Sequence, residues 1–483
     1  MNKNIVIAIL VLIVVCCVGV SLLAIAGVVV FNRYQESNTP AEAIPTEEAV
    51  LVDPASATQI PSEPAPTRQP AGTAVAKPTI ETDSQLPADV AAQMDNIEQK
   101  VSHLRGLLPV NPVQRGLLST DELRAKMEED IYEDSNPEEI ADSGNALSIL
   151  GLLPPDYDLQ ALYVELMTEQ VAGFYDPETK EMYVVQGGEF KGPERMTYAH
   201  EFTHVLQDQT YDLLNGLNTN PDYCEENTEY CAAVNALIEG DATLTESLWF
   251  FRYATAQEKQ EVQDFYSSYT SPIYDSTPYY LQQDLLFSYQ YGLEFVQSLY
   301  DVNGFASVDE AFRNPPVSTE QILHPERYPD DVPVDVTLPD LVSAFGAGWR
   351  EIDNNVMGEW STYMILTAGN NERMRMDSGD AADAVEGWGG DAYAIFRNDE
   401  QDQTALVLRT RWDTRQDLND FWNAMKTYGR LRWGTVSRSD INELVWSDTA
   451  DGTVLVYRTT EEVVWIIAPD ATATSTVRTA LGE

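Results

Sequence analysis

Histidine is scarce in this chain, four among 483 residues, and so are the other basic side chains. Lysine and arginine together number 29 against 78 aspartates and glutamates, for a formal net charge of −49. A chain this anionic repels phosphate backbones and anionic headgroups, which excludes nucleic-acid binding first. Only 22% of the residues are charged, so the imbalance reflects missing bases; it bears on solubility more than on fold. Residues 338–483 contain no histidine or cysteine, which argues against a metal centre there.

Against that scarcity, two histidines stand in one short stretch, Tyr198-Ala-His200-Glu201-Phe-Thr-His204-Val-Leu-Gln-Asp208. On a helix, residues four apart point the same way about one turn along. Two imidazoles can then grip one metal ion while Glu201 faces its open side, the H-E-x-x-H arrangement of zinc hydrolases. The bland reading is an ordinary pair of surface histidines. His103, between Ser102 and Leu104, is a surface or packing residue.

Residues 5–31 are apolar and uncharged, interrupted only by Ser21. A membrane span needs about 20 residues, so this run predicts a crossing helix with some tilt. A cleavable signal peptide is the competing reading, but its apolar core would be shorter, roughly 7–15 residues. Cys16 and Cys17 follow Val15, too bulky for lipoprotein processing, and read as membrane-buried thiols. Lys3 and the α-amino group on one side, against Arg33 with Glu36 on the other, favour a cytoplasmic N-terminus. The expected localisation is the cell membrane, single-pass and anchored in the lipid bilayer, with the globular part outside the cytoplasm. Residues 34–87 are rich in Pro, Ala, Thr and Glu with almost no aromatics. They cannot bury enough apolar surface to order themselves and predict a tether.

The remaining chain is expected to divide into a zincin-like domain at 88–337 and a C-terminal α+β accessory domain at 338–483. Apolar periodicity predicts helices near 90–108, from 119 onward and at 158–170. Strands follow at 171–175 and 181–185 around the turn Asp176-Pro177-Glu178-Thr179. A hairpin directly before a metal-binding helix can lay an edge strand along the cleft, where an extended peptide adds. Long helices are predicted at 232–251 and 281–302. Beyond 338, strands at 392–398, 405–410, 444–446, 453–457 and 462–468 surround a helix at 418–428. The fold class is α+β: mainly helical, with a small sheet before the metal helix. Cys224 and Cys231 suit a short-loop disulfide in an oxidising compartment better than a zinc site, since no further ligand lies at the right spacing.

Catalytic zinc takes three protein ligands and keeps one position for water. His324 is one candidate for the third, and an acidic residue on a following helix is the other. Glu239 lies in Ala236-Leu-Ile-Glu239-Gly-Asp241, an apolar helical stretch where a carboxylate is costly to bury unless it coordinates or pairs. Asp241 is its rival and would face about 160° away on a continuous helix.

With these residues in view, the chain resembles the gluzincin metallopeptidases, in which H-E-x-x-H supplies two ligands and a glutamate on a downstream helix the third. That resemblance, over roughly residues 95–330, maps onto His200, Glu201, His204 and Glu239. The hairpin Gly173-Phe-Tyr-Asp-Pro177 and the stripe Tyr289-Gln-Tyr-Gly292-Leu-Glu-Phe295 are also similar, although the latter equally suits helix packing. The spacing departs from the pattern: 34 residues lie between His204 and Glu239, longer than in the best-known members, with a cysteine-bearing insertion.

The chemistry assigns roles. Zinc acidifies a bound water toward pH ~7, and Glu201 takes its proton during attack on a peptide carbonyl. His324 is the first candidate for a second oxyanion donor and Tyr289 the next. Asp208, one turn past His204, is placed to orient a ligand imidazole. Glu239 as a surface charge, His324 as a loop cap and Asp208 as a solvated side chain are the plain alternatives. The expected activity is hydrolysis of peptide or protein substrates. The alternatives are a non-catalytic, zinc-stabilised cell-surface binding protein and an aminopeptidase with an acidic anchor for the substrate amine.

Overall fold

The computed structural model describes residues 81–82, 86–134, 136–185 and 189–482. The apolar run at 5–31 and nearly all of the tether at 34–87 lie outside these residues. Among the described residues no helix is long and apolar enough to cross a membrane.

The chain folds as a mixture of helix and sheet in which helix predominates. In order come β1 (Glu81–Thr82), α1 (Ala88–Arg105), β2 (Gln114–Leu118), α2 (Thr120–Asp134), α3 (Pro137–Ile149), α4 (Leu159–Gln170), β3 (Gly173–Asp176) and β4 (Glu181–Val185). Then follow α5 (Gly192–Tyr211), α6 (Pro221–Glu226), α7 (Thr228–Tyr253), α8 (Ala256–Ser268), α9 (Pro272–Ser276), α10 (Tyr279–Asn303), α11 (Phe305–Arg313) and α12 (Thr319–Leu323). Local chemistry starts these helices. Ser119 and Glu122 exchange hydrogen bonds ahead of α2, the Asp158 carboxylate accepts from Ala161 N at 3.0 Å to open α4, and the Glu194 carboxylate accepts from Lys191 N at 3.0 Å to open α5.

Strands β1 to β4 form one sheet in the order β1-β2-β4-β3, with β2 and β4 parallel and the other pairs antiparallel. Residues 81–82 therefore pair with β2, although their composition reads as tether. The hairpin expected at 171–185 is present, and β3 is an edge strand.

Helix α7 runs through the middle of the molecule, between α5 and α10. It is longer than the predicted 232–251 and buried on nearly all sides, its polar residues Glu229, Asn235, Glu239, Asp241 and Glu246 included. It touches α10 backbone to backbone. A Cβ on Gly240 would lie 2.1 Å from the Gly292 carbonyl oxygen, and one on Gly292 would lie 2.1 Å from that of Ala236. Cys224 of α6 and Cys231 of α7 are bonded, their Cα atoms 5.6 Å apart.

The chain continues through α13 (Val342–Phe345), β5 (Arg350–Asn355), α14 (Gly358–Thr367), α15 (Ser378–Val385), β6 (Trp388–Asn398), β7 (Gln403–Trp412) and α16 (Arg415–Trp433). It ends with β8 (Arg438–Ser439), β9 (Glu443–Thr449), β10 (Gly452–Arg458), β11 (Glu462–Ala468) and α17 (Ala471–Ala480). Strands β5 to β11 form a seven-stranded antiparallel sheet in the order β5-β6-β7-β11-β10-β9-β8. Buried Asp391, from the Gly-Trp-Gly-Gly-Asp stretch, accepts from Met357 N at 2.6 Å, Gly358 N at 3.0 Å and Trp388 Nε1 at 2.7 Å, tying β6 to the start of α14. The sheet and the helices share one apolar cluster that includes Leu237, Phe295, Trp388 and Trp465. Arg350 of β5 grips Asp142 of α3 with two hydrogen bonds, clamping the regions together.

Candidate metal centre

Helix α5 carries His200, Glu201 and His204; α7 brings Glu239 across to them. One ligand atom from each of His200, His204 and Glu239 lies within 4.8 Å of the others. The Glu239 Oε2 atom is 3.2 Å from His200 Nε2 and 3.7 Å from His204 Nε2. Ligands about 2.0–2.1 Å from a tetrahedral zinc stand about 3.3 Å apart, so these separations fit a zinc-sized ion with little adjustment. Two buried atoms of the cluster, His204 Nε2 and Glu239 Oε1, have no hydrogen-bond partner among the described residues. Leaving such atoms unmet is expensive in an interior, and a cation between them removes the cost.

The far sides of both imidazoles are engaged. His200 Nδ1 meets Glu246 Oε2 at 3.1 Å, and His204 Nδ1 meets Gln207 Oε1 at 2.9 Å. Each ring is thus held with Nε2 turned toward Glu239, as metal-binding imidazoles are held by outer partners. Sequence reasoning missed both partners. Gln207 lies three residues after His204 on the same helix face. Glu246 lies seven after Glu239, two turns along one face of an apolar helix, and that repeat was a signal.

The rival carboxylate points elsewhere. Asp241 receives Arg105 Nε at 2.8 Å and Gln207 Nε2 at 2.8 Å, and Arg105 Nη1 also meets Asp309 Oδ1 at 2.6 Å. A buried chain of contacts therefore runs from His204 through Gln207 and Asp241 to Arg105, whose guanidinium lies 4.6 Å over the Phe305 ring. Asp208 does not orient an imidazole. Its carboxylate accepts from the Tyr175 hydroxyl and the Lys180 ammonium, both at 2.7 Å, and anchors the β3–β4 hairpin to α5.

His324 is likewise not brought to this cluster. Its Nε2 meets Glu359 Oε1 at 2.9 Å, and it follows α12, which is tied to α7 at Glu229. Glu229 is ten residues before Glu239, about 15 Å along the helix axis. Tyr289 is the candidate that does arrive, its ring centroid 6.3 Å from that of His200. Edge strand β3 passes close to Glu201: a Cβ on Gly173 would stand 3.2 Å from Glu201 Cγ.

Electrostatics divide the two histidines. Burial alone would depress His200, but its contacts with Glu239 and Glu246 hold it well above its usual range. Burial dominates at His204 and pushes it down to about 4, the neutral state that a metal ligand needs. Burial also raises Glu246 and Asp241 above ordinary carboxylates. His200, Glu201, His204 and Glu239 are all almost completely buried.

Residues 345–478 match a family described as Domain of unknown function (DUF8575); the matched stretch contains β5 to β11 and none of the cluster residues. No curated protein and no solved structure matches the chain.

Proposed function

We propose that the chain is a zinc-dependent peptidase of gluzincin type, anchored in the membrane by residues 5–31 with its globular part outside the cytoplasm. The observation that carries this reading is the convergence of His200, His204 and Glu239 from two helices, with Glu201 one residue along from the first ligand. Bound there, zinc would polarise a water and the scissile carbonyl. Glu201 takes the proton of the attacking water and returns it to the leaving amine. Glu246 and Gln207 hold the imidazoles in register, and the Asp241–Arg105 pair holds Gln207. Strand β3 offers its free edge to an extended peptide, beside Glu201. The nearness of the Tyr289 ring to His200 favours Tyr289 over His324 as the donor to a developing oxyanion in this reading.

The near-complete burial of the four residues favours a second reading, a zinc-stabilised surface protein with no hydrolytic activity. The variant Glu201→Gln separates the two. Under the peptidase reading the wild type cleaves peptides and the variant keeps stoichiometric zinc while losing about 10²–10⁴-fold in rate. Zinc-loaded wild-type protein that cleaves nothing in a broad peptide library would establish the second reading.

A further inference from the structure

A cavity of about 110 Å³ lies between α7, α10 and the start of the C-terminal sheet. Its wall includes Asn235 of α7, one turn before Glu239, and Ser288 of α10, the neighbour of Tyr289. It therefore begins about 6 Å along α7 from the metal cluster, on the face that carries Glu239.

Three carboxylates line this cavity, each using one oxygen on a neutral donor. Glu229 Oε1 accepts from Thr319 N and Oγ1, Asp284 Oδ1 from Trp360 Nε1 at 3.0 Å, and Asp353 Oδ2 from the Tyr393 hydroxyl at 2.9 Å. The second oxygens of Glu229 and Asp284 have no hydrogen-bond donor among the described residues, and Asp353 adds only the backbone N–H of Asn354. Glu229 and Asp353 are more than nine-tenths buried. The lining contains no lysine, arginine or histidine, while Tyr280, Phe287, Trp360 and Tyr393 add aromatic faces. Burial without a cation raises Asp284 to about 6, Asp353 to about 7 and Glu229 to about 8. Carboxylates and aromatic rings around a space of this size are the surroundings a cation seeks.

We propose that this cavity is a specificity pocket for a cationic side chain, lysine or arginine, of the peptide substrate. The inference rests on the peptidase reading and adds the substrate class to it. Reach favours a side chain over the substrate's α-amine. A lysine ammonium stands about 6 Å from its own Cα, enough to enter the near end of the cavity by Asn235 and Ser288 but not to reach Glu229, whereas the α-amine of a substrate's first residue lies roughly 2.5 Å from the scissile carbonyl carbon.

Two measurements on the full-length, zinc-loaded chain test it. In calorimetric titrations above 0.15 M salt, where surface attraction to a polyanion is screened, n-butylammonium should bind at one site and n-butanol should not. Asp284→Asn and, separately, Asp353→Asn should each weaken that binding at least tenfold. No saturable butylammonium binding, or equal binding to wild type and both variants, overturns the proposal. Hydrolysis of N-acetylated peptides differing only beside the scissile bond should favour lysine or arginine over norleucine at least tenfold, and either variant should erode the ratio. Cleavage without that preference overturns the pocket and leaves the peptidase reading standing; dependence on a free N-terminus instead assigns the cation to the α-amine and also overturns it. Absence of all cleavage beside intact butylammonium binding overturns the peptidase reading, and the substrate assignment with it.

Discussion

Replacing Asp241 by asparagine and Glu239 by glutamine should affect zinc affinity very differently, although the two residues are neighbours on one helix. Asp241→Asn preserves volume, so no cavity term enters. It removes the charge facing Arg105, whose side chain is fully buried. Breaking a buried ion pair from one side costs about 3–5 kcal/mol; the surviving 2.6 Å contact of Arg105 with Asp309 puts this case near 3 kcal/mol. Zinc affinity should fall about tenfold, because Asp241 acts on His204 only through Gln207. Glu239→Gln also acts on the metal-free fold, because it removes one of the two carboxylates beside buried His200, the other being Glu246; its cost should approach the lower end of the same range, about 3 kcal/mol. Zinc affinity should fall by more than about 100-fold, beyond what loss of an outer partner costs. Urea unfolding of the metal-free chains, with zinc content by mass spectrometry after dialysis, reads both effects. Zinc lost from Asp241→Asn and retained by Glu239→Gln would refute the assignment of the third ligand.

Other outcomes follow from the same geometry. Gln207→Leu leaves His204 Nδ1 without its acceptor and should weaken zinc binding about 10–100-fold, measured by competition with a chelator. Gly292→Ala drives a methyl into the Ala236 carbonyl and should cost about 3 kcal/mol, read as a lowered melting temperature; an unchanged transition would show that α7 and α10 can separate freely. The metal-free chain should lose stability as pH rises from about 4 to about 8. Asp284, Asp353 and Glu229 have folded-state values near 6, 7 and 8, above their unfolded ones, so in this window the folded state holds protons that the unfolded state has released. Melting temperatures that rise from pH 5 to pH 8 would contradict this sign, and Glu229→Gln should flatten the fall.

Much of this arrangement was legible in the chain because it depends on local rules. The hairpin announced itself by turn chemistry and α5 by the histidine pair, while the angle between residues two apart on a helix allowed only one of Glu239 and Asp241 to face that pair. What was not legible depends on partners distant in sequence. Asp208 and Gln207 both lie one turn past His204, and only the packing of α7 on one side and the hairpin on the other decides that Gln207 holds the imidazole. His324 was attractive because histidine is rare, but its position is set by α12 packing near Glu229 and by Glu359, neither of which its neighbours in sequence reveal. Strand β5, α14 and α15 escaped notice because their short, mixed segments acquire regularity only from the shared core.

The central claim is that one zinc ion sits among His200, His204 and Glu239. X-ray absorption at the zinc edge of the purified full-length chain tests it most directly. The account predicts one zinc per chain, two imidazole nitrogens at about 2.0–2.1 Å, carboxylate and water oxygens, and no sulfur. An all-oxygen shell, or substoichiometric zinc undiminished by His200→Ala, would contradict it.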